Sequence, residues 1–341
     1  MPPFVSPVKE AYLYKKLKDK AVQCQLCNRR CKIPEASRGN CRVRENTRGT
    51  LYAMTYAKPT SLNMDPIEKK PLFHFLPGTE TFSVATVGCN FHCLHCQNWE
   101  ISQAPWENGP QREVPPHEIV RLAKQYGAPS ISYTYTEPTI FYEYAKDTSV
   151  LAHKEKIKNV FVTNGYMSKE MLKDYKELDA ANVDIKGDEE FYKKVCGGVE
   201  MQHVLDSIKR MKKKKVWVEA TNLIIPGSND DDASILQIAE SMHDIDPNMP
   251  LHFSAFFPHH KMRNRNPTPR DTLVHARDIA IEVGLKYVYC GNTYPGDPFE
   301  NTLCPKCGEM LIKRHGFALL EDHVDKGKCH SCRTKIAGVF G

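Results

Sequence analysis

Short apolar runs alternate with longer helical segments along the chain from about residue 80 onward. The short runs are rich in Val, Ile, Tyr, Phe and Thr, which is typical of strands in a buried sheet. The predicted strands are FSVATVG (82–88), SISYTYT (130–136), NVFVTN (159–164), ANVDI (181–185), KVWVEATNLII (215–225), LHFSAFF (251–257) and KYVYC (286–290). The segments between them predict helices near 117–126, 138–156, 168–178, 200–214, 231–243 and 271–283.

This alternation of strands and helices predicts a parallel sheet with the helices outside it. Six or more such units over roughly 210 residues favour a barrel over a short open sheet. We therefore predict an α/β fold of the partial (β/α)6-type TIM barrel kind. In barrels the chemistry gathers at the C-terminal ends of the strands. The residues expected to share that face are Cys89, Glu137, Asn164, Lys186, Asn222 and Pro258.

The composition indicates a globular protein. The chain has 341 residues, enough for one large domain with appendages or two ordinary domains, and its 41% hydrophobic residues are compatible with a buried core. Much of the formal charge of +6 lies in the run KRMKKKKVW (209–217). We interpret this run as a solvated helix end, with a nucleic-acid or acidic-partner patch as the alternative.

The chain carries 13 cysteines, and their number bears on where the protein resides. Its first residues, MPPFVSPVKEAYLYKKLKDK, lack the apolar core of a signal peptide, and no run of about 18 apolar residues occurs. We therefore expect a reducing compartment, in which clustered cysteines bind metal more often than they form disulfides. The sequence predicts a cytoplasmic metalloprotein.

Two cysteine quartets flank the predicted barrel. The N-terminal ligands, spaced by two, three and nine residues, are Cys24, Cys27, Cys31 and Cys41. They suit zinc or an auxiliary iron–sulfur cluster. The C-terminal ligands form two Cys-x2-Cys knuckles and are Cys304, Cys307, Cys329 and Cys332. They predict a structural zinc ribbon, with a rubredoxin-like iron centre as the alternative.

These quartets suggest three segments along the chain. We predict a cysteine-rich N-terminal segment (1–75), a core barrel (76–295) and a zinc-ribbon-like module (296–341). Both flanking segments are metal-binding appendages in this scheme. Cys196 and Cys290 fall outside all the cysteine clusters, and we expect them to be ordinary thiols.

A third cysteine cluster, in CNFHCLHC (89–96), has three cysteines instead of four. Cys89, Cys93 and Cys96 follow the first predicted strand of the barrel, on the loop where chemistry is expected. A metal or cluster held only by protein usually takes four ligands. Either His92 or His95 completes a zinc site, or one metal position stays open for a cofactor.

The trio resembles the signature of the radical S-adenosylmethionine (radical SAM) family, and QNW (97–99) resembles the enzymes similar to pyruvate formate-lyase activase. The resemblance implies that the three cysteines hold a [4Fe–4S] cluster whose fourth iron binds S-adenosylmethionine. It also implies cofactor contacts in YTYTEP (133–138), VTNG (162–165), VDIKG (183–187) and the later strands. The implied cofactor-binding residues are His95 near the adenine, Glu137 at the ammonium group, and Thr163, Asn164, Asp184, Lys186, Asn222 and His252.

Over nearly its full length, the chain resembles the radical SAM proteins of the AmmeMemoRadiSam system. This resemblance rests on the N-terminal cysteine segment, the central loop and the C-terminal ENTLCPKCGEML…GKCHSCRTKIAG. It implies an oxidoreductase that takes electrons from a flavodoxin- or ferredoxin-type donor and has Memo-type and AMMECR-type partner proteins. The substrate stays open, with protein, RNA and small metabolites as candidates. The alternatives are an activase of a glycyl-radical partner enzyme and a non-catalytic, zinc-rich module that binds nucleic acid.

Overall fold

A computed structural model describes residues 9–341. The first eight residues of the predicted segment 1–75, which are also part of the stretch inspected for a signal peptide, lie outside the described residues. The chain divides into two compact units. The first consists of the residues up to Met64, Thr81–His92 and Cys96–Asp179. The second consists of Asp65–Glu80, Cys93–His95 and Ala180–Gly341.

The first unit combines small antiparallel sheets with three parallel strands. Its strands are β1 Tyr14–Lys16, β2 Val22–Cys24, β3 Lys32–Ile33, β4 Arg44–Thr47, β5 Thr50–Ala53, β6 Ser61–Pro66, β7 Glu80–Ala85, β8 Ser130–Tyr133 and β9 Lys158–Thr163, with the ends of β6 and β7 in the second unit. Its helices are α1 Trp99–Ser102, α2 Pro116–Gln125, α3 Tyr142–Lys154 and α4 Lys169–Asp174. Strands β7, β8 and β9 pair in parallel, with Val84 beside Tyr133 and Tyr133 beside Phe161.

The N-terminal cysteines lie on the antiparallel part of the first unit. Strands β1, β2 and β3 form one sheet, and β4 and β5 form a hairpin. The Cys24 backbone N–H donates to the Cys31 carbonyl at 3.0 Å, which closes the loop that carries the first three cysteines. The chain then turns at Cys41 before β4.

The second unit contains four parallel strands and the C-terminal cysteine module. Its strands are β10 Ala180–Asp184, β11 Trp217–Ile224, β12 Leu251–Ala255, β13 Val288–Gly291, β14 Thr302–Leu303, β15 Met310–His315, β16 Ala318–Asp322, β17 Val324–Asp325 and β18 Lys328–Cys329. Its helices are α5 Glu189–Lys194, α6 Met201–Lys213, α7 Asp232–Ile245 and α8 Arg270–Val283. Strands β10 to β13 pair in parallel in chain order.

Local sequence explains where several helices begin and end. Helix α4 begins after Ser168, whose hydroxyl accepts the Met171 N–H at 3.0 Å, and α7 is capped in the same way by Asp231. Helix α8 ends at Gly284, whose φ of +110° suits a residue without a side chain. The basic run 209–217 spans the last turn of α6, where Lys212 pairs with Asp246 at 2.7 Å. The prediction of a helix end there is confirmed.

The C-terminal module shares its core with the rest of the second unit. Strands β14 to β16 form an antiparallel sheet, and β17 and β18 form a hairpin. The shared core cluster comprises Phe73, Tyr287, Tyr289, Cys304, Leu311, Ile312, Cys329 and Ile336. Residues on both sides of the predicted boundary at residue 296 therefore pack in one apolar cluster.

The mixed α/β fold on parallel strands agrees with the sequence prediction. All seven predicted strands and all six predicted helices occur. Closure of the strands into a barrel and the division into three segments stay predictions. In the described part of the chain, no helix has the length and apolar character needed to cross a membrane.

Candidate metal and cofactor site

The loop with three cysteines begins directly after β7. In the first unit, the Cys89 thiol accepts the Phe91 N–H at 3.4 Å, and the Cys96 thiol lies 3.2 Å from the hydroxyl of Ser102 at the end of α1. Gly88 precedes the loop with a φ of +100°, in a region that L side chains rarely adopt. The strand end and α1 thus fix two of the three thiols.

Polar side chains at the ends of β8 and β9 meet in the first unit. The Glu137 carboxylate is buried and accepts the Thr163 hydroxyl at 2.7 Å and the Asn164 N–H at 2.8 Å. It also accepts the N–H of Thr139 at 3.0 Å. Burial raises the pKa of Glu137, although these hydrogen bonds act in the opposite direction. The structure thus brings together three predicted site residues, with Glu137 joining two strand ends.

Asn164 connects that group to the cysteine loop. Its side-chain Nδ2 donates to Oδ1 of Asn90 at 2.7 Å and lies 3.9 Å from the Cys89 thiol. Asn90 itself is 1% exposed. Cys89, Glu137, Thr163 and Asn164 therefore form one polar group at the C-terminal ends of parallel strands, as the barrel rule predicts.

In the second unit, Asp184 and Lys186 lie at and just beyond the end of β10. The Lys186 ammonium donates to Asp184 at 2.8 Å. Burial acts to lower the pKa of Lys186, but Asp184, Cys93 and Cys196 leave it well above its usual value. A positive charge therefore lies next to the Cys93 thiol.

Cys196, which the sequence indicated as an ordinary thiol, lies beside Cys93. Its thiol forms a hydrogen bond with the Cys93 side chain, and it is completely buried. The two cysteines are brought together by the backbone, since the Leu94 N–H donates to the Val195 carbonyl at 3.0 Å. Nothing in the sequence spacing signals this contact, because it depends on how the loop and the segment after α5 pack.

His95 has a buried, neutral ring near Lys186. Burial lowers its pKa to about 3, helped by the positive charges of Lys186 and His260. Its ring lies 5.8 Å from that of Phe191, and Nδ1 is buried with no hydrogen-bond partner among the described residues. An unpartnered buried nitrogen is costly unless a ligand satisfies it.

Asn222 and His252 lie in other surroundings of the second unit. Asn222 donates from Nδ2 to the Ile185 carbonyl at 2.7 Å, so it braces the backbone before Lys186. His252 is the second residue of β12, and its Nε2 contacts the Glu219 carboxylate at 2.7 Å. The structure does not show His252 in contact with Asp184 or Lys186, and its predicted cofactor role stays a prediction.

His92, an alternative zinc ligand in the sequence, is engaged elsewhere. Its Nδ1 lies 2.6 Å from Oε1 of Gln103, and its Nε2 lies 2.9 Å from Oδ1 of Asn40. Both ring nitrogens thus face side-chain amides of the first unit. This geometry disfavours a zinc site completed by His92.

The C-terminal quartet has the geometry of a compact metal site. The four thiol sulfurs lie within 4.8 Å of one another. Cys304 and Cys332 are separated by 3.6 Å, and Cys307 and Cys329 by 3.8 Å, sulfur to sulfur. The structure thus places all four predicted ligands together at a cysteine cluster that could hold a metal.

The residues present fit the cofactors that the motif implies. Thiolates are the ligands of iron–sulfur clusters, and the central loop offers Cys89, Cys93 and Cys96. The buried Nδ1 of His95 and the charge of Lys186 are suited to a polar, anionic ligand in the second unit. Sequence reasoning missed Asn90 and Cys196, which contact these residues from neighbouring turns.

Comparisons with known proteins assign the family. A model of the radical SAM superfamily matches residues 83–242. The chain is 51% identical to the "Uncharacterized protein MJ0808" of Methanocaldococcus jannaschii, over 96% of this chain and 99% of that protein. It is 26% identical to MJ1632 of the same organism, named provisionally as a glycyl-radical enzyme activating enzyme, over 62% of this chain and 81% of that protein.

Solved structures give weaker similarities. A structure of TYW1 with a lysine-pyruvate adduct bound has a TM-score of 0.46 at 17% identity, over 61% of this chain and 76% of that one. A domain of a pyruvate-formate lyase-activating enzyme from Bacteroides vulgatus has a TM-score of 0.41 at 19% identity, over 47% of this chain and 98% of that one. Together, the matched model and the cysteine motif within it give the family: the chain belongs to the radical SAM superfamily and is an enzyme of the radical SAM type.

Proposed function

We propose that Cys89, Cys93 and Cys96 hold a [4Fe–4S] cluster and that the neighbouring polar residues hold S-adenosylmethionine. The observation that carries this proposal is a loop with three cysteines, not four, inside the region matched by the superfamily model. When bound, these cofactors supply reductive cleavage of the sulfonium and a 5′-deoxyadenosyl radical that removes a hydrogen from a substrate.

The chain's own residues bind and orient the cofactors in this proposal. Lys186, held by Asp184, offers positive charge to the cofactor carboxylate. His95 offers a neutral planar ring toward the adenine. Glu137 fixes the backbone of Asn164, and its Oε2, which accepts that N–H, is the carboxylate oxygen we assign to the cofactor ammonium. Asn222, Thr163 and His252 complete the proposed set.

Formation of 5′-deoxyadenosine tests the proposal. The full chain is reconstituted anaerobically with iron and sulfide, then incubated with S-adenosylmethionine and dithionite, and the product is measured by mass spectrometry. We expect product from the native chain and none from Cys96→Ala. The matched control is Cys290→Ala, which removes a buried thiol that contacts the Leu273 carbonyl and no predicted cofactor residue. Equal product from Cys96→Ala and the native chain would refute the assignment.

The subfamily and its partners follow as finer proposals. The two terminal cysteine segments support membership of the AmmeMemoRadiSam-system group, with Memo-type and AMMECR-type proteins as partners and a flavodoxin- or ferredoxin-type electron donor. The similarity to MJ1632 supports a second candidate function, activation of a glycyl-radical enzyme. That candidate requires a glycyl radical, detected by electron paramagnetic resonance, on mixing with the partner enzyme.

We assign zinc to the C-terminal quartet. Four thiolates bound to one tetrahedral zinc ion at 2.3 Å lie about 3.8 Å apart, and the observed sulfur separations are 3.6 and 3.8 Å. Cys304 and Cys329 are buried in the shared core, so one ion ties both knuckles to it. Elemental analysis of the purified chain should give one zinc per chain that Cys304→Ser removes.

A further inference from the structure

The four N-terminal cysteines line one cavity in the first unit. The cavity is also lined by Arg29, Arg44 and Asn90. Cys24, Cys27 and Cys41 are buried, and Cys31 is half-buried. These cysteines precede residue 83, where the match to the superfamily model begins. The fold therefore gathers four thiols at a place for which the family match provides no assignment.

Backbone amides surround these thiols in a regular way. The N–H groups of Leu26, Arg29 and Val43 face the thiols of the cysteines two residues before them. N–H groups directed at sulfur stabilise thiolates, which are the form that binds metal. Arg44 adds a positive charge at the cavity wall, although its guanidinium is paired with Glu143 at 2.7 and 2.8 Å.

Asn90 supplies an independent indication of a ligand. It is 1% exposed, it lines the cavity, and its Nδ2 has no hydrogen-bond partner that meets normal geometry among the described residues. An unsatisfied buried amide costs about 1–3 kcal/mol. The same side chain forms a hydrogen-bond contact with the Cys27 thiol. A metal-bound Cys27 thiolate would be the acceptor that Nδ2 lacks.

The quartet lies next to the loop of the radical SAM motif. Oδ1 of Asn90 lies 3.8 Å from the Cys89 thiol, while its backbone carbonyl accepts from Arg29 Nε at 3.0 Å. A Cβ atom on Gly88 would lie 3.1 Å from the Cys41 carbonyl. Cys27 and Cys89 therefore both contact the side chain of Asn90.

The spacing of the sulfurs distinguishes this quartet from the C-terminal one. Within residues 9–341, no three of the N-terminal thiols have sulfurs within 4.8 Å of one another, whereas all four C-terminal thiols do. A single tetrahedral ion needs sulfurs about 3.8 Å apart. A cluster of several irons spreads its four thiolates further. The cavity between these thiols measures about 20 Å³, and Cys31 is its half-buried side.

We propose that Cys24, Cys27, Cys31 and Cys41 hold a second iron–sulfur cluster, and that Asn90 is a positioning residue that donates from Nδ2 to the Cys27 thiolate. The first part stands independently of the proposed reaction. The chain then carries two adjacent iron–sulfur centres and one zinc site.

Removal of the central trio isolates the second cluster for measurement. The variant Cys89→Ala/Cys93→Ala/Cys96→Ala is reconstituted anaerobically, and iron, sulfide and zinc are counted. We expect about four irons per chain to remain, with a paramagnetic signal after dithionite reduction that S-adenosylmethionine does not change. Adding Cys27→Ala and Cys41→Ala should remove that iron and leave one zinc. Zinc in place of iron, or no metal beyond the C-terminal zinc, would overturn the proposal.

The outcomes separate this proposal from the proposed function. If the trio variant keeps iron but the native chain makes no 5′-deoxyadenosine, the proposed function fails and the second cluster stands. If the native chain makes 5′-deoxyadenosine but the trio variant holds no iron, the second cluster is refuted and the proposed function stands.

A second variant tests the position of Asn90. In the trio background, Asn90→Ala removes the N–H donor facing Cys27, and we expect a lower midpoint potential because such donors stabilise the reduced cluster. The matched control is Asn40→Ala, which changes another asparagine of the cavity wall whose side chain contacts His92. An unchanged potential in Asn90→Ala, with iron retained, would contradict the role of Asn90. Zinc content and circular dichroism report whether both variants fold.

Discussion

Gly88 links the two cysteine loops, and its replacement by alanine is the sharpest test of their packing. The residue has a φ of +100° and stands directly before Cys89. A Cβ atom there would lie 2.6 Å from Cγ1 of Val43 and 3.1 Å from the Cys41 carbonyl. Real Cβ atoms do not approach heavy atoms at 2.6 Å, so the loop after Cys41 or the strand end must move.

The magnitude follows from two separate costs. An alanine in this left-handed region costs about 1–2 kcal/mol in backbone conformation. Overpacking against a buried side chain costs about 1–3 kcal/mol more, so Gly88→Ala should destabilise the first unit by about 2–5 kcal/mol. Gly127→Ala is the matched control, because Gly127 has a φ of +69° but nothing lies within 4 Å of its Cβ position. Gly127→Ala should therefore show the backbone cost without the overpacking cost.

Thermal unfolding of the two variants under identical anaerobic conditions measures the difference. A packing cost of about 1–3 kcal/mol corresponds to a melting temperature lower by roughly 2–12 °C than that of Gly127→Ala, for a domain of this size. Iron content should fall in Gly88→Ala and stay normal in Gly127→Ala, because only the first displaces cysteine loops. Equal melting temperatures and equal iron would show that the loops are not packed as described.

Three further outcomes are expected. Glu143→Gln should destabilise the chain by about 3–5 kcal/mol, because it leaves the buried Arg44 guanidinium without its negative counter-ion. Burial acts to raise the pKa of Glu143, but Arg44 outweighs it and holds that pKa below its usual value. The carboxylate therefore stabilises the fold above the ordinary glutamate pKa, and its contribution is lost as pH falls through the depressed folded value. Melting curves from pH 7 to pH 3 should show this loss in the native chain and not in Glu143→Gln. Cys304→Ser removes one ligand of the zinc that we propose for the C-terminal quartet, and it should make residues 296–341 sensitive to limited proteolysis, because a segment this small needs its metal; resistance to protease would contradict a structural role. Finally, Cys196→Ala should keep the iron of the central cluster while Cys93→Ala loses about four irons; iron loss in Cys196→Ala would make Cys196 a ligand.

The strands and helices from β7 to β13 could be predicted because each carries its own local signal. Runs such as NVFVTN and ANVDI are apolar over the length of one strand, and their observed bounds, Lys158–Thr163 and Ala180–Asp184, differ by one residue. The short strands of the N-terminal segment were missed because two to four residues carry too little pattern. The antiparallel pairing there depends on loops closed by contacts such as Cys24 with Cys31.

Site residues could be predicted where a sequence motif or a strand end determines their position. They could not be predicted where their position depends on packing between distant segments. Glu137 and Asn164 follow strand ends, so the barrel rule placed them correctly beside each other. His252 carried no comparable signal, and its partner, Glu219, lies 33 residues earlier in the chain. The same holds for Cys196, whose neighbour is set by one backbone hydrogen bond between Leu94 and Val195.

The position of Cys196 sharpens the question of why the central loop has three cysteines. A fourth sulfur does lie within hydrogen-bonding distance of Cys93, yet it is completely buried, and burial raises its pKa well above the usual value. Cys196 lies outside the CNFHCLHC motif, so we take its thiol as a hydrogen-bond partner of Cys93 and not as a fourth member of the trio. Lys186, by contrast, remains charged and favours a thiolate at Cys93. We therefore expect Cys196 to donate to the Cys93 thiolate and tune the proposed cluster, so that one iron of that cluster stays available to the proposed cofactor.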